Sequence, residues 1–368
     1  MTYRRAVIPA LVGGVLLTAL LWWAGASAHA LELPGADGVL GGQTAVGLQQ
    51  WLTPWAYDPP ASLQYGDRYR ELYGTALQIR FGAAFTFFVL GALLLVRRLP
   101  PVRGRITAAL LALWAWGLVA GTLAVTVSAP WLIAAWGHGS YRFLPQLASV
   151  SASGRQILVV TALVAAAGTV LAARVADQGT EPPAPEAVPA RAARLAATVG
   201  TAVIALSLVV LSYQRVAAAI QTAAVGDGLL SEPGDLLRQW LLLGAWSGPS
   251  GAALGDWLVV RLADVLLLAV VWWALRRLPA LLTRATVPAM AVATVCATVL
   301  GLLASQLLRI ATDSTGMSYG LLQAFAGLGG GVPAALTFGL AAGAAAAVTL
   351  RPAAAGRVEE TAQATVSA

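Results

Sequence analysis

Apolar residues run along this chain in long uninterrupted blocks, not in the alternation of a half-buried strand or the single stripe of a soluble helix. Blocks of about 18 residues, the length a helix needs to cross hydrocarbon, fall near 6 to 28, 80 to 96, 106 to 128, 156 to 176, 194 to 213, 257 to 275, 286 to 308 and 333 to 350. The pattern predicts an all-α integral membrane protein with eight transmembrane helices.

The polar punctuation between blocks predicts an orientation. Arg4 and Arg5 precede the first block, Arg97, Arg98, Arg103 and Arg105 fill the link between the second and third, and Arg276, Arg277 and Arg284 fill that between the sixth and seventh. Arginine-rich short links stay on the cytoplasmic side, so both termini are expected in the cytoplasm and the long segments 29 to 79 and 214 to 256 outside a cell membrane. Trp22, Trp23, Trp131, Trp136 and Trp257 then fall near the outer interface, with Trp272 and Trp273 toward the inner one. A competing reading takes the N-terminus as a cleaved signal peptide, because small-x-small sites stand at Ala26-Ser27-Ala28 and Ala28-His29-Ala30. Against it, the apolar run exceeds a signal core, and a matching block opens the second half of the chain.

That match belongs to a wider repeat. Segments 40 to 60 and 229 to 249 align without a gap, pairing Leu48, Gln50, Trp51, Leu52, Ala56 and Pro60 with Leu237, Gln239, Trp240, Leu241, Ala245 and Pro249. Further on, Arg97-Arg98-Leu99-Pro100 meets Arg276-Arg277-Leu278-Pro279, Arg105 and Thr107 meet Arg284 and Thr286, and Ser140-Tyr141 stands opposite Ser318-Tyr319. The expected organisation is therefore two tandem four-helix units, 1–176 and 193–351. A Pro-rich cytoplasmic linker, 177–192, joins them, and a disordered cytoplasmic tail, 352–368, follows. An even number of spans per unit gives both the same orientation, with a pseudo-twofold axis along the membrane normal.

Within the first long loop, Leu48, Trp51, Leu52 and Trp55 recur at helical spacing with Gln49, Gln50 and Thr53 on other faces; Leu237, Trp240 and Leu241 with Arg238 repeat the pattern less cleanly. Short amphipathic helices lying on the outer surface are expected here. Their plain role is to cap the bundle. Their functional role would be contact with a partner or lipid through Gln50, Trp51, Trp55, Gln239 and Trp240.

Composition agrees with the bilayer reading and removes several chemistries. Of 368 residues 58% are hydrophobic and 11% charged, against about 25% charged in soluble domains, and the mean hydropathy is +0.75. All 23 basic residues are arginine, a bias that points to GC-rich bacterial coding. Without lysine there is no conventional phosphate loop and no Schiff-base chemistry. The net charge of +7 sits at helix ends, where it orients spans, so no nucleic-acid partner is expected. Cys296 has no second cysteine with which to form an intrachain disulfide.

Candidate chemistry is sparse, and no catalytic residue, metal ligand or cofactor is expected. Gly316-Met317-Ser318-Tyr319-Gly320 has the spelling of a nucleophile elbow but no strand to launch it. His29 and His138, the two histidines, lack acidic or cysteine neighbours at ligand spacing. Gly117 with Gly121, and Gly339 with Gly343, are small-xxx-small pairs that favour close helix packing. Gly327, Gly329, Gly330 and Gly331 suit a flexible entrance to the last span, and Arg80 and Arg309 are expected to snorkel from the outer ends of theirs.

Asp264 stands out, roughly 12 Å along the sixth span at 1.5 Å per residue, because an ionisable group at that depth is costly and commonly functional. Arg261 lies one turn earlier on the same face, so the pair marks either an internally neutralised lock or an ion path. The expected function is a transport or permease-like component with a path between the two units and this pair near its outer mouth. The alternatives are a non-catalytic envelope protein that binds a membrane partner or lipid through its outer loops, and a membrane enzyme on lipid-linked substrates. Besides the lipid bilayer, a membrane-protein partner or a second copy is the expected company.

Overall fold

A computed structural model describes residues 3–31, 41–57, 66–102, 104–135, 142–176, 189–223, 231–244, 254–312 and 325–366. Its helices, in chain order, are α1 (Tyr3–Ala30), α2 (Gly42–Leu52), α3 (Asp67–Arg98), α4 (Ile106–Ala135), α5 (Phe143–Ser151), α6 (Arg155–Ala176), α7 (Ala190–Ala205), α8 (Gln214–Gln221), α9 (Gly234–Leu241), α10 (Leu254–Leu281), α11 (Val287–Thr312) and α12 (Val332–Val366). Short 3₁₀ turns cover Thr53–Trp55 and Phe325–Gly327, and α7 continues as a π-segment over Leu206–Leu211. Among the described residues, eight helices are long and apolar enough to cross a membrane: α1, α3, α4, α6, α7 with its π-segment, α10, α11 and α12. The protein is a multi-pass membrane protein.

Several spans outrun the apolar blocks that announce them. The second begins at Asp67, thirteen residues before the hydropathy does. Its polar opening turns hold because Tyr69 and Tyr73 stack with centroids 5.8 Å apart and pack with Leu77 on Ala135 at the end of α4. Tertiary packing therefore supports helix where no lipid would. The backbone of α12 likewise stays helical through the segment 352 to 366, expected to be a disordered tail.

The first four spans close into a ring in which α1 touches α3, α3 touches α4, α4 touches α6 and α6 returns to α1. In the last four, α7, α10, α11 and α12 follow the same cyclic order. The halves meet mainly where α4 packs on α11, flanked by contacts of α3 with α11 and of α4 with α12. These two helices, the third span of each half, are the most enclosed, with 72% of each apolar window buried. Alternating directions bring Arg5, Arg97, Arg98, Arg105, Arg174, Arg191, Arg194, Arg276, Arg277, Arg284 and Arg351 to one end of the bundle, and α2, α5, α8 and α9 to the other. They are called here the arginine end and the loop-helix end.

Sequence explains which face each helix buries. On α10, Asp264, Leu267, Val271, Leu275 and Leu278 follow at spacings of three and four and are buried. Leu254, Leu258, Leu262, Val265 and Trp273 form the opposite, exposed stripe, as a lipid-facing helix requires. The glycine pairs open the seam between third and fourth spans. A Cβ on Gly339 or Gly343 would stand 2.7 Å from the Val295 Cα or 2.5 Å from the Ala291 Cα of α11, and one on Gly117 would stand 2.6 Å from Ala162 of α6.

Candidate functional site

At the loop-helix end of the α10/α11 seam, three charged side chains meet. The Asp264 carboxylate forms an ion pair with Arg261 at 3.1 Å across one turn of its own helix and accepts a hydrogen bond from Arg309 of α11 at 2.9 Å. Asp264 is 9% exposed, whereas the Arg309 side chain keeps 41% of its surface. Arg309 therefore does not simply snorkel to the interface; it turns inward because a buried carboxylate offers a charge-assisted bond that lipid cannot. The group carries a net positive charge, two cations held by one anion.

Its placement also departs from the expected path between the units. The helix bearing Asp264, α10, packs against α7 and α11, while the halves meet through α4 and α11. The triad lies inside the second half. The hydroxyls of the two central helices bond back to carbonyls of their own helices. Thr122, Thr126 and Ser128 of α4 donate to the carbonyls of Leu118, Thr122 and Val125. On α11, Thr294, Thr298 and Ser305 donate to those of Met290, Thr294 and Leu302.

The first half holds a counterpart without a carboxylate. Arg80 of α3, 2% exposed, donates from Nε to the Ser128 hydroxyl of α4 at 2.9 Å and from Nη1 to the Pro54 carbonyl. Its guanidinium lies 5.7 Å from the centroid of the Trp55 ring. Expected to snorkel, Arg80 is instead covered: the 3₁₀ turn Thr53–Trp55 folds down over it, and hydrogen bonds plus an aromatic face stand in for water. Trp55 is fully buried and donates to the Gly154 carbonyl at 3.3 Å. Tyr73 holds the next residue through the Ala56 carbonyl at 2.7 Å, and only glycine fits at Gly25, where a Cβ would collide with the Trp55 carbonyl.

Of the five loop residues singled out from the sequence, the structure separates two from the rest. Trp55 faces the interior. Gln239 of α9, half-buried, accepts from the Ser151 hydroxyl of α5 at 2.7 Å. Gln50 is exposed, and Trp51 and Trp240 are half-buried. The Ser151 bond and an exposed ion pair between Arg142 and Glu232 at 3.7 Å lay α5 of the first half parallel to α9 of the second. The π-segment anchors α9 from below, since Ser207 donates to the Leu241 carbonyl and accepts from the Leu243 N–H at 3.2 Å.

Ser318 with its glycine-flanked motif, the Ser140-Tyr141 pair, His138 and Trp136 lie outside the described residues. Among the described residues no group of three metal-ligating side chains gathers, and Cys296 is buried in α11. The glycine-rich entrance to α12 is held by Gln306, which accepts from the Gly329 N–H at 3.0 Å and donates to the Gly330 carbonyl at 2.9 Å. Positive φ angles at Gly329 and Gly331 account for those two glycines. Sequence reasoning missed the inward turn of Arg309 and the cover on Arg80. The signal available was that each arginine lies within a spanning helix, a costly position without a partner.

No family model, curated protein or solved structure matches the chain.

Proposed function

We propose that this is a non-catalytic envelope protein of the cell membrane that holds another membrane protein against its loop-helix face. The observation that carries this is the fastening of that face across both halves: the Ser151–Gln239 bond ties α5 to α9, while Arg80 and Ser207 pin the flanking turns to the spans below. Such bonding makes a preformed platform, the kind of surface that loses little entropy on docking a partner. Gln50, Trp51 and Trp240 are its contact residues; Gln239 and Trp55 belong to its support. The reading includes two tandem copies of a four-helix unit, supported by the shared cyclic order of the spans and the recurrent Gln-Trp-Leu and Arg-Arg-Leu-Pro segments. It also places the arginine end and both termini in the cytoplasm, supported by the gathering of arginines there.

Replacing Trp51 and Trp240 together with alanine is expected to release a membrane protein that co-purifies with the wild type after mild cross-linking, with the fold intact. An unchanged set of captured proteins would count against the proposal. A transport role has less support, because Asp264 is held by two arginines away from the contact between the halves. It would gain ground if Asp264→Asn abolished a measured flux while leaving thermal stability unchanged.

A further inference from the structure

The two arginine links, far apart in sequence, touch each other at the arginine end. The Thr283 N–H donates to the Arg98 carbonyl at 2.9 Å, and Arg105 Nη2 reaches the Ala280 carbonyl at 3.4 Å. Leu99, Leu278 and Leu282 are buried beneath this junction. Arg97 and Arg284 both stand close enough to Arg98 for their charges to act on it. α4 and α11, which begin at Ile106 and Val287, pack on one another, and both N-termini, with their unsatisfied N–H groups and positive dipole ends, lie at the arginine end.

Three donors here are buried without a partner: Arg98 Nε, Arg105 Nη1 and Thr286 Oγ1. An orientation signal needs only positive charge near the membrane surface and is served by exposed arginines such as Arg174 and Arg194. It does not need guanidinium N–H atoms buried without a partner, a costly state unless an acceptor sits among them. By contrast, Arg276 and Arg277 are turned aside, each over a tryptophan ring at 5.4 and 5.5 Å.

We propose that Arg98, Arg105, Arg284 and Thr286 form a binding site for a phosphate-bearing anion at the junction of the two halves. Guanidinium forks and helix N-termini suit phosphate oxygens. The headgroup of an anionic phospholipid is one source, since basic pockets between spanning helices take such headgroups; a soluble phosphate is the other. A bound phosphate would bridge both links and hold α4 against α11.

The test uses the full chain in mild detergent, with native mass spectrometry for retained lipid and thermal unfolding with added phosphatidylglycerol, phosphatidylcholine or inorganic phosphate. Phosphatidylglycerol is expected to be retained and to raise the unfolding temperature, and R98Q/R284Q to weaken its binding at least tenfold. R98K/R284K should keep part of the affinity, and R174Q/R194Q should leave it unchanged. Stabilisation by phosphatidylglycerol alone assigns the site to lipid; the same arginine-dependent stabilisation by inorganic phosphate assigns it to a soluble anion. Equal retention of phosphatidylcholine, equal loss in R174Q/R194Q, or undiminished binding in a folded R98Q/R284Q would overturn the proposal. Should that double variant not fold, Thr286→Val, expected to bind a few-fold more weakly, decides in its place, and unchanged binding there is the negative result.

Discussion

Removing Asp264 would leave Arg261 and Arg309 side by side at the α10/α11 seam with no anion between them. Breaking a buried pair by deleting one partner costs about 3 to 5 kcal/mol; the 41% exposure of Arg309 puts Asp264→Ala at the lower end. Replacing Asp264 with leucine and both Arg261 and Arg309 with methionine should cost less than Asp264→Ala alone, because no member of the triad is then left as an orphaned charge. Thermal unfolding of the purified protein distinguishes the two, and a triple variant worse than the single would refute the lock. Arg80 makes a sharper case, since its fork serves a hydroxyl, a carbonyl and a ring at once. Lysine keeps the charge but not the fork. Arg80→Lys is therefore expected to destabilise by about 2 kcal/mol and to open the 53 to 57 turn to proteolysis; a cutting pattern like the wild type's would show that charge alone suffices.

Between helices, the two halves solve the same seams from opposite sides. The seam of second and third spans is pinned by an arginine on α3 in the first half and by one on α11 in the second. The seam of third and fourth spans is opened by glycines on α4 in the first and on α12 in the second. Close approach there is limited by backbone, which cannot move aside as a side-chain tip can. Gly339→Ala and Gly343→Ala should each cost about 1 to 3 kcal/mol through overpacking. Gly82→Ala, where a Cβ meets nothing within 4 Å, should be neutral or slightly stabilising. Equal unfolding temperatures for all three would mean that α11 and α12 are not in contact as described.

At the level of the whole molecule, what joins the halves is the α4/α11 contact, the α5/α9 pairing at one end and the arginine links at the other. The single cysteine, Cys296, makes the pairing easy to test. In a Cys296→Ser background, cysteines at Ser151 and Gln239 should be joined by a short bifunctional thiol reagent in intact membranes, leaving a closed loop of chain that alters gel mobility. Cysteines at Ser151 and Gln50 are the control. Cross-linking of the control as efficiently as of the pair would remove the platform on which the proposed docking face depends.

The eight spans were legible from sequence because partition into hydrocarbon is a local, summed property of about twenty neighbouring residues. The Arg261–Asp264 pair was legible for a related reason, as i and i+3 share a helix face whatever the rest of the chain does. The close packing intended by the glycine pairs belongs with these. What lay beyond the sequence depends on partners distant along the chain. Arg309 finds Asp264 across 45 positions, Arg80 finds Ser128 across 48, and Ser151 finds Gln239 across 88. Trp55 reads as one face of an amphipathic turn until the turn folds over Arg80, and the polar start of α3 reads as loop until Tyr69 and Tyr73 lie against α4. Sequence alone determined which segments enter the membrane, since each does so by its own composition. Tertiary structure alone decided which charges are locked, which tryptophans are core and where the arginines converge, since each depends on a neighbour supplied by another helix.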